Sequence, residues 1–140
     1  MAMTSHRISI DAPKSRVYNA LTTKNGLKGW FSPQIEGAFG EGETAIFKFS
    51  GEDPFHWKVV KLVSPTEVRW RCVQGPGDSA GTEVSFLLSD HKDGRTTIEC
   101  DHNGFNEEDR ALKSCNTLWG VLMDRLRKFS ETDKPQPAFD

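Results

Sequence analysis

The side chains best suited to proton transfer, metal binding or nucleophilic attack in this sequence are four histidines and three cysteines. His6, His56, His91 and His102 show none of the close spacings that bring imidazoles onto one zinc ion, and no Cys-x-x-Cys pair is present. No metal and no other cofactor is expected. Cys72, Cys100 and Cys115 are odd in number and far apart, which argues against a disulfide framework and a zinc knuckle and for free, buried thiols. A Gly-x-Ser-x-Gly elbow is missing, and Gly75-Pro76-Gly77-Asp78 lacks the Lys-Ser/Thr of a phosphate-cradling loop, so it reads as a long hairpin connection. His102 keeps a chemical role open, because it closes a strand just before the turn into a helix, where imidazole can exchange a proton near neutral pH. The plainer reading is a backbone hydrogen bond tying the strand end to the helix start. Glu99 and Asp101 alternate to the opposite side of the strand, so they form no dyad with His102, and no catalytic residue is assigned.

The elements that must position these residues follow from periodicity and turn chemistry. His6 to Asp11 alternates apolar with polar as a half-buried strand does. Pro13 suits the first position of a helix that carries Val17, Ala20 and Leu21 at helical spacing and ends at Asn25-Gly26. A short helical turn, Leu27 to Trp30, then runs to the break at Ser32-Pro33. From Gly40 to Gly104 strands are separated by turn signals: Ala45 to Phe49, Phe55 to Val63, Val68 to Cys72, Thr82 to Leu88 and Thr96 to His102. Connections this short force antiparallel pairing, which makes a meander, counted as six strands. Asn106 caps a last helix of about 25 residues, with Glu107, Glu108 and Asp109 in the first turn where the helix dipole favours them. Leu112, Cys115, Trp119, Leu122, Leu126 and Phe129 form its apolar stripe.

At 140 residues the chain suits one domain, placed at residues 5–131 and followed by a flexible tail at 132–140 that holds Pro135 and Pro137. With 36% apolar and 27% charged residues and a net charge of −2, it has no basic patch for nucleic acid. No apolar stretch is long enough to span a bilayer and no secretory leader is visible, so a cytoplasmic location without membrane insertion is expected. A meander this long must curl, and only the last helix can cover its concave face. The expected class is therefore α+β, a curved antiparallel sheet wrapped around a long C-terminal helix.

Ile10-Asp11-Ala12-Pro13 leading into Val17 to Thr22, then Trp30-Phe31-Ser32-Pro33, His102-Asn103-Gly104-Phe105, and Trp119 through Leu122 to Leu126, follow one another in an order that resembles the START-like SRPBCC superfamily. The similarity runs over residues 5 to 131 and is greatest to stand-alone domains like the C-terminal domain of the heat-shock-protein-90 ATPase activator. It implies the helix-grip (START/Bet v-like) fold. One departure is local: members often carry Gly before the helix tryptophan, whereas here Leu118 precedes Trp119 and Gly120 follows it.

The resemblance also implies a cavity between sheet and helix, and alternation names the side chains that would face it. These are Phe47, Phe49, Trp57, Trp70, Cys72, Phe86, Cys100 and His102 from the strands, Cys115, Trp119 and Leu122 from the helix, and Trp30 and Phe31 near the mouth. Each is equally suited to be plain core. The leading expectation is a domain that binds a small, largely apolar molecule without catalysis. One alternative is an enzyme of the cyclase or hydrolase kind in the same cavity, using His102, with Arg71 or Glu36 available if strand parity is shifted by one. Another is a chaperone-related interaction module, with a protein partner or a homodimer.

Overall fold

The structure, a computed structural model, describes residues 2–48, 53–75, 80–105 and 111–138; the side chains of residues 2, 3, 105 and 111–116 lie outside that description. The order of elements is β1 (Ala2–Ile10), α1 (Lys14–Thr22), α2 (Lys24–Trp30), β2 (Gln34–Gly37), β3 (Thr44–Lys48), β4 (Phe55–Val63), β5 (Glu67–Gln74), β6 (Glu83–Asp90), β7 (Thr96–Phe105) and α3 (Ala111–Thr132). Strands β2 to β7 form the meander, and β1 closes against β7, giving a seven-stranded sheet in the order β1-β7-β6-β5-β4-β3-β2 with every pair antiparallel. Register shifts interrupt the β4–β5 pairing near His56 and near Val59. Such irregularities bend a sheet, which suits one that wraps a helix.

Alternation sorts the strands as expected. In β5, Val68, Trp70 and Cys72 are buried, and in β6 Val84, Phe86 and Leu88 are, each with more exposed neighbours between them. The same parity on β7 buries Ile98, Cys100 and His102. Among its described side chains, α3 buries Trp119, Leu122, Met123 and Leu126, one stripe at steps of three and four. Charged residues take the other side of the helix, where Arg127 bonds Asp124 and Glu131 at 2.9 and 3.2 Å.

Several boundaries differ from the sequence reading. Strand β1 starts at Ala2 and ends at Ile10, four residues earlier at its start than His6. The four-residue β2 lies in the segment that showed no pattern; Ile35 is its one buried residue, too few for alternation to register. Pro13 precedes α1 with extended geometry, and its carbonyl accepts from the N–H groups of Arg16 and Val17. The first helix ends at Thr22, not at Asn25-Gly26. Thr23 caps α2 by accepting from the Gly26 N–H at 3.0 Å, and Gly26 is needed for close packing: a Cβ there would sit 2.6 Å from Ala20 Cα.

The segment beyond α3, expected to fray, makes two backbone bonds along α2: Gln136 N–H to the Gly29 carbonyl and Ala138 N–H to the Trp30 carbonyl. Phe49, the Gly-rich loop at 76–79 and the expected cap Asn106 with Glu107, Glu108 and Asp109 lie outside the described residues, as do the side chains of Leu112 and Cys115.

Candidate functional site

The register collects the predicted side chains on the face that meets α3. Trp57 on β4 stands opposite Cys72 on β5, Trp70 opposite Val84 on β6, and Val84 opposite His102 on β7. Trp30, Phe31, Phe47, Trp57, Trp70, Cys72, Phe86, Cys100, His102, Trp119 and Leu122 are all buried. Their rings form one continuous set of mostly edge-to-face contacts. Trp57 lies 5.7 Å from Trp70, Trp70 4.9 Å from Phe86, and Phe86 5.8 Å from Trp119. Phe31, expected near the mouth, sits in the middle of the set, against Phe47 at 4.8 Å and Trp119 at 6.1 Å. Trp30 is anchored behind it by its indole N–H, which donates to the Ala20 carbonyl at 2.7 Å.

His102 has a defined chemical state. The Trp119 indole can only donate, and it reaches His102 Nδ1 at 2.8 Å, so Nδ1 is the unprotonated, accepting nitrogen. Nε2 then carries the proton and donates to Thr82 Oγ1, also at 2.8 Å. Burial pushes the imidazole down to about 4 from its ordinary 6.5. His102 therefore ties β7 through its side chain to Thr82, just before β6, and to α3. Proton exchange at neutral pH is not available to it.

The other candidate polar groups point away. Arg71 pairs with Glu83 at 3.3 Å and Glu36 with Lys48 at 2.9 Å, with all four side chains at least partly in solvent. Asp101 accepts from the Ser5 hydroxyl at 2.6 Å and Glu99 approaches Arg7 at 3.7 Å, both on the outer side as alternation required. Cys100 is held as a neutral thiol, since burial, with help from the Asp101 charge, pushes its pKa well up. Cys100 is a free thiol, and the Cys72 thiol donates to the Gln74 carbonyl at 3.4 Å. Among the described residues no group of three or more His, Cys, Asp or Glu side chains could hold a metal ion.

Two indole N–H groups stand out in this apolar set. Trp57 Nε1 and Trp70 Nε1 are buried and have no hydrogen-bond partner among the described residues. A donor left this way costs about 1–3 kcal/mol relative to one that is satisfied. Beside them, Phe55 stacks on Trp57 at 5.6 Å and Phe39 meets Trp70 edge-on at 5.5 Å, and both are only half-buried. Sequence reasoning missed Phe39, Phe55 and Thr82. Thr82 shares the parity of Val84 and Phe86 and could have been found that way, whereas Phe39 lies in the irregular segment before β3.

Among the described residues, two hollows lie elsewhere. One of about 530 Å³ runs between α1, α2 and the end of α3, lined in part by Arg16, Asn19, Thr23, Asn25 and Ser130. The other, about 290 Å³, lies against Ser5, His6, Arg7, Glu99 and Asp101. None of the predicted site residues whose side chains are described lines either.

Comparison with known proteins places this arrangement. Among curated proteins no sequence relative matches. The solved Aha1 dimer from Colwellia psychrerythraea is 34% identical, with a TM-score of 0.86, and the alignment covers 94% of this chain and 98% of that one. DynU16, a protein of the dynemicin biosynthetic locus, superposes at a TM-score of 0.79 with 21% identity, covering 95% of this chain and 48% of its own. A protein of Mesorhizobium loti does so at 0.78 with 17% identity, covering 91% and 95%. These last two share the fold. The family model for activator of Hsp90 ATPase homolog 1-like proteins matches residues 11–131, and with the 34% identity to a whole chain of that kind it shows that this chain belongs to that family.

Proposed function

We propose that the domain binds a small, largely apolar molecule carrying a hydrogen-bond acceptor, seated at the Trp57–Trp70 end of the helix-facing side of the sheet. The observation that carries this reading is the pair of buried indole N–H donors without partners among the described residues. Two such donors are a cost to an apolar core, while an acceptor atom delivered by a ligand would satisfy them. The half-buried Phe39 and Phe55 beside them offer ring faces to the apolar part of the same molecule. Catalysis in the same place is not favoured, because His102 is neutral and engaged at both ring nitrogens.

Anilinonaphthalene sulfonate, apolar with acceptor oxygens, is a suitable probe, with cooperative melting checked to exclude a molten state. It is expected to bind the native protein and shift its tryptophan emission. Trp57→Phe and Trp70→Phe should each weaken the probe about 3- to 10-fold, the worth of one hydrogen bond. Unchanged probe affinity in both variants, or no binding by the native protein, would refute the reading.

A second reading, self-association, rests on a different observation. The chain of C. psychrerythraea that aligns with 94% of this one is an Aha1 dimer. We infer that this chain also pairs with a second copy of itself.

A further inference from the structure

We propose that the second copy docks along the free edge of β1, antiparallel to its own counterpart, so that two seven-stranded sheets join into one; this rests on the self-association reading above. The two edges of the sheet are unlike. At one end β2 is four residues long and finishes at Gly37 with a φ of +89°. At the other, β1 spans nine residues and has β7 as its one neighbour in the sheet order. A strand of that length presents an edge of about 30 Å. Proteins blunt such edges with proline, lysine, bulges or short strands. The β2 edge is blunted by its length, but Ala2 to Ile10 contains no proline and no lysine, and its one register shift lies at the extreme start, between Ala2 and Met3.

The side chains of β1 permit the pairing. Arg7 is its one Lys or Arg residue, and that guanidinium leans onto Glu99 of β7, away from the free edge. A two-fold axis through His6 would set Arg7 opposite Ser5 of the second copy, and one through Ile8 would set it opposite Ser9. Either register avoids facing Arg7 with itself, which cross-strand repulsion disfavours. An isologous antiparallel pair needs no other complementarity, because each strand supplies the donors and acceptors the other lacks. Gly120 is exposed where α3 passes β1, and a Cβ there would stop 3.9 Å from His6 Nε2. The next residue, Val121, is 43% exposed and would be covered in the pair.

Sedimentation of the full chain over a micromolar range, together with amide exchange read residue by residue, tests the edge and the self-association separately. The expected result is a dimer whose β1 amides exchange more slowly than in dilute, dissociated protein, while β2 amides do not change. Gly120→Lys, which leaves β1 untouched and places a cation above its edge, should weaken dimerisation at least 10-fold with cooperative melting preserved. Val73→Lys and Leu87→Lys, on the outer face, should not weaken it. A dimer that dissociates without any change at β1, or that is lost with the outer-face variants, overturns the edge while leaving self-association intact. A monomer at every concentration overturns both. Should Gly120→Lys not fold, the exchange of the unaltered protein on dilution decides alone.

Discussion

Trp119→Ala will cost the domain about 3–5 kcal/mol, the range for deleting a buried large aromatic side chain. The residue is 3% exposed, with its ring between Phe31, Phe86 and His102 at 6.1, 5.8 and 5.8 Å. Two losses add. The cavity removes packing from three aromatic neighbours, and His102 Nδ1 is left buried without the donor that now holds it. Against a typical total stability of about 5–15 kcal/mol, this is a fifth of the whole or more. Trp119→Phe removes the N–H together with only part of the ring, so it keeps much of the packing and should cost clearly less than Trp119→Ala. Arg127→Ala is the surface comparison. Its ion pairs with Asp124 and Glu131 are partly in solvent, so the change should stay within about 1 kcal/mol. Urea midpoints for the three variants check the series. Equal midpoints for Trp119→Ala and Arg127→Ala would mean that α3 does not pack against the sheet by this face.

How much of this was legible beforehand depended on the kind of signal each part leaves. Period-two alternation is local, so Trp57, Trp70, Phe86 and Cys100 could be put on one face before any coordinates, and the structure keeps them there. The stripe from Trp119 to Leu126 is equally local. Strand β2 was invisible because four residues with one buried side chain carry no period. The joint at Thr23 was misplaced for a related reason. Asn25-Gly26 has the form of a helix stop, yet the glycine serves the close approach of α2 to α1, a relation between two helices that no single stretch of sequence states. Hydrogen-bond partners were the least accessible. Alternation put His102 on the inner face, but its protonation state depends on an indole that arrives from α3, 17 residues later, and on a hydroxyl from the start of β6, 20 residues earlier. The free N–H groups of Trp57 and Trp70 are likewise a property of what surrounds them. Face can be read from a pattern, whereas partnership between elements has to be seen.

The second large effect concerns acid. His102 has a folded-state pKa of about 4 against an ordinary 6.5, with burial as the cause. A depressed pKa means that the unfolded chain takes up this proton more readily than the native one, so the associated stability is complete above about pH 6.5 and is lost as pH falls toward 4. The span of 6.5 to about 4 corresponds to about 3 kcal/mol at full protonation. Structure gives the same sign. A proton added at Nδ1 would face the Trp119 N–H, turning an acceptor into a second donor and breaking the tie between β7 and α3. The aromatic neighbours Trp57 and Trp119 do not titrate in this range, and neither does Thr82. Chemical unfolding between pH 7 and pH 4 should therefore show stability falling by this amount beyond whatever the carboxylates contribute. In His102→Gln that component should vanish. The variant will be less stable than the native protein at pH 7, since amide geometry reproduces the two imidazole bonds poorly, and the two curves should converge toward pH 4. Parallel curves across the whole range would show that His102 is not the buried neutral group that holds the helix to the sheet.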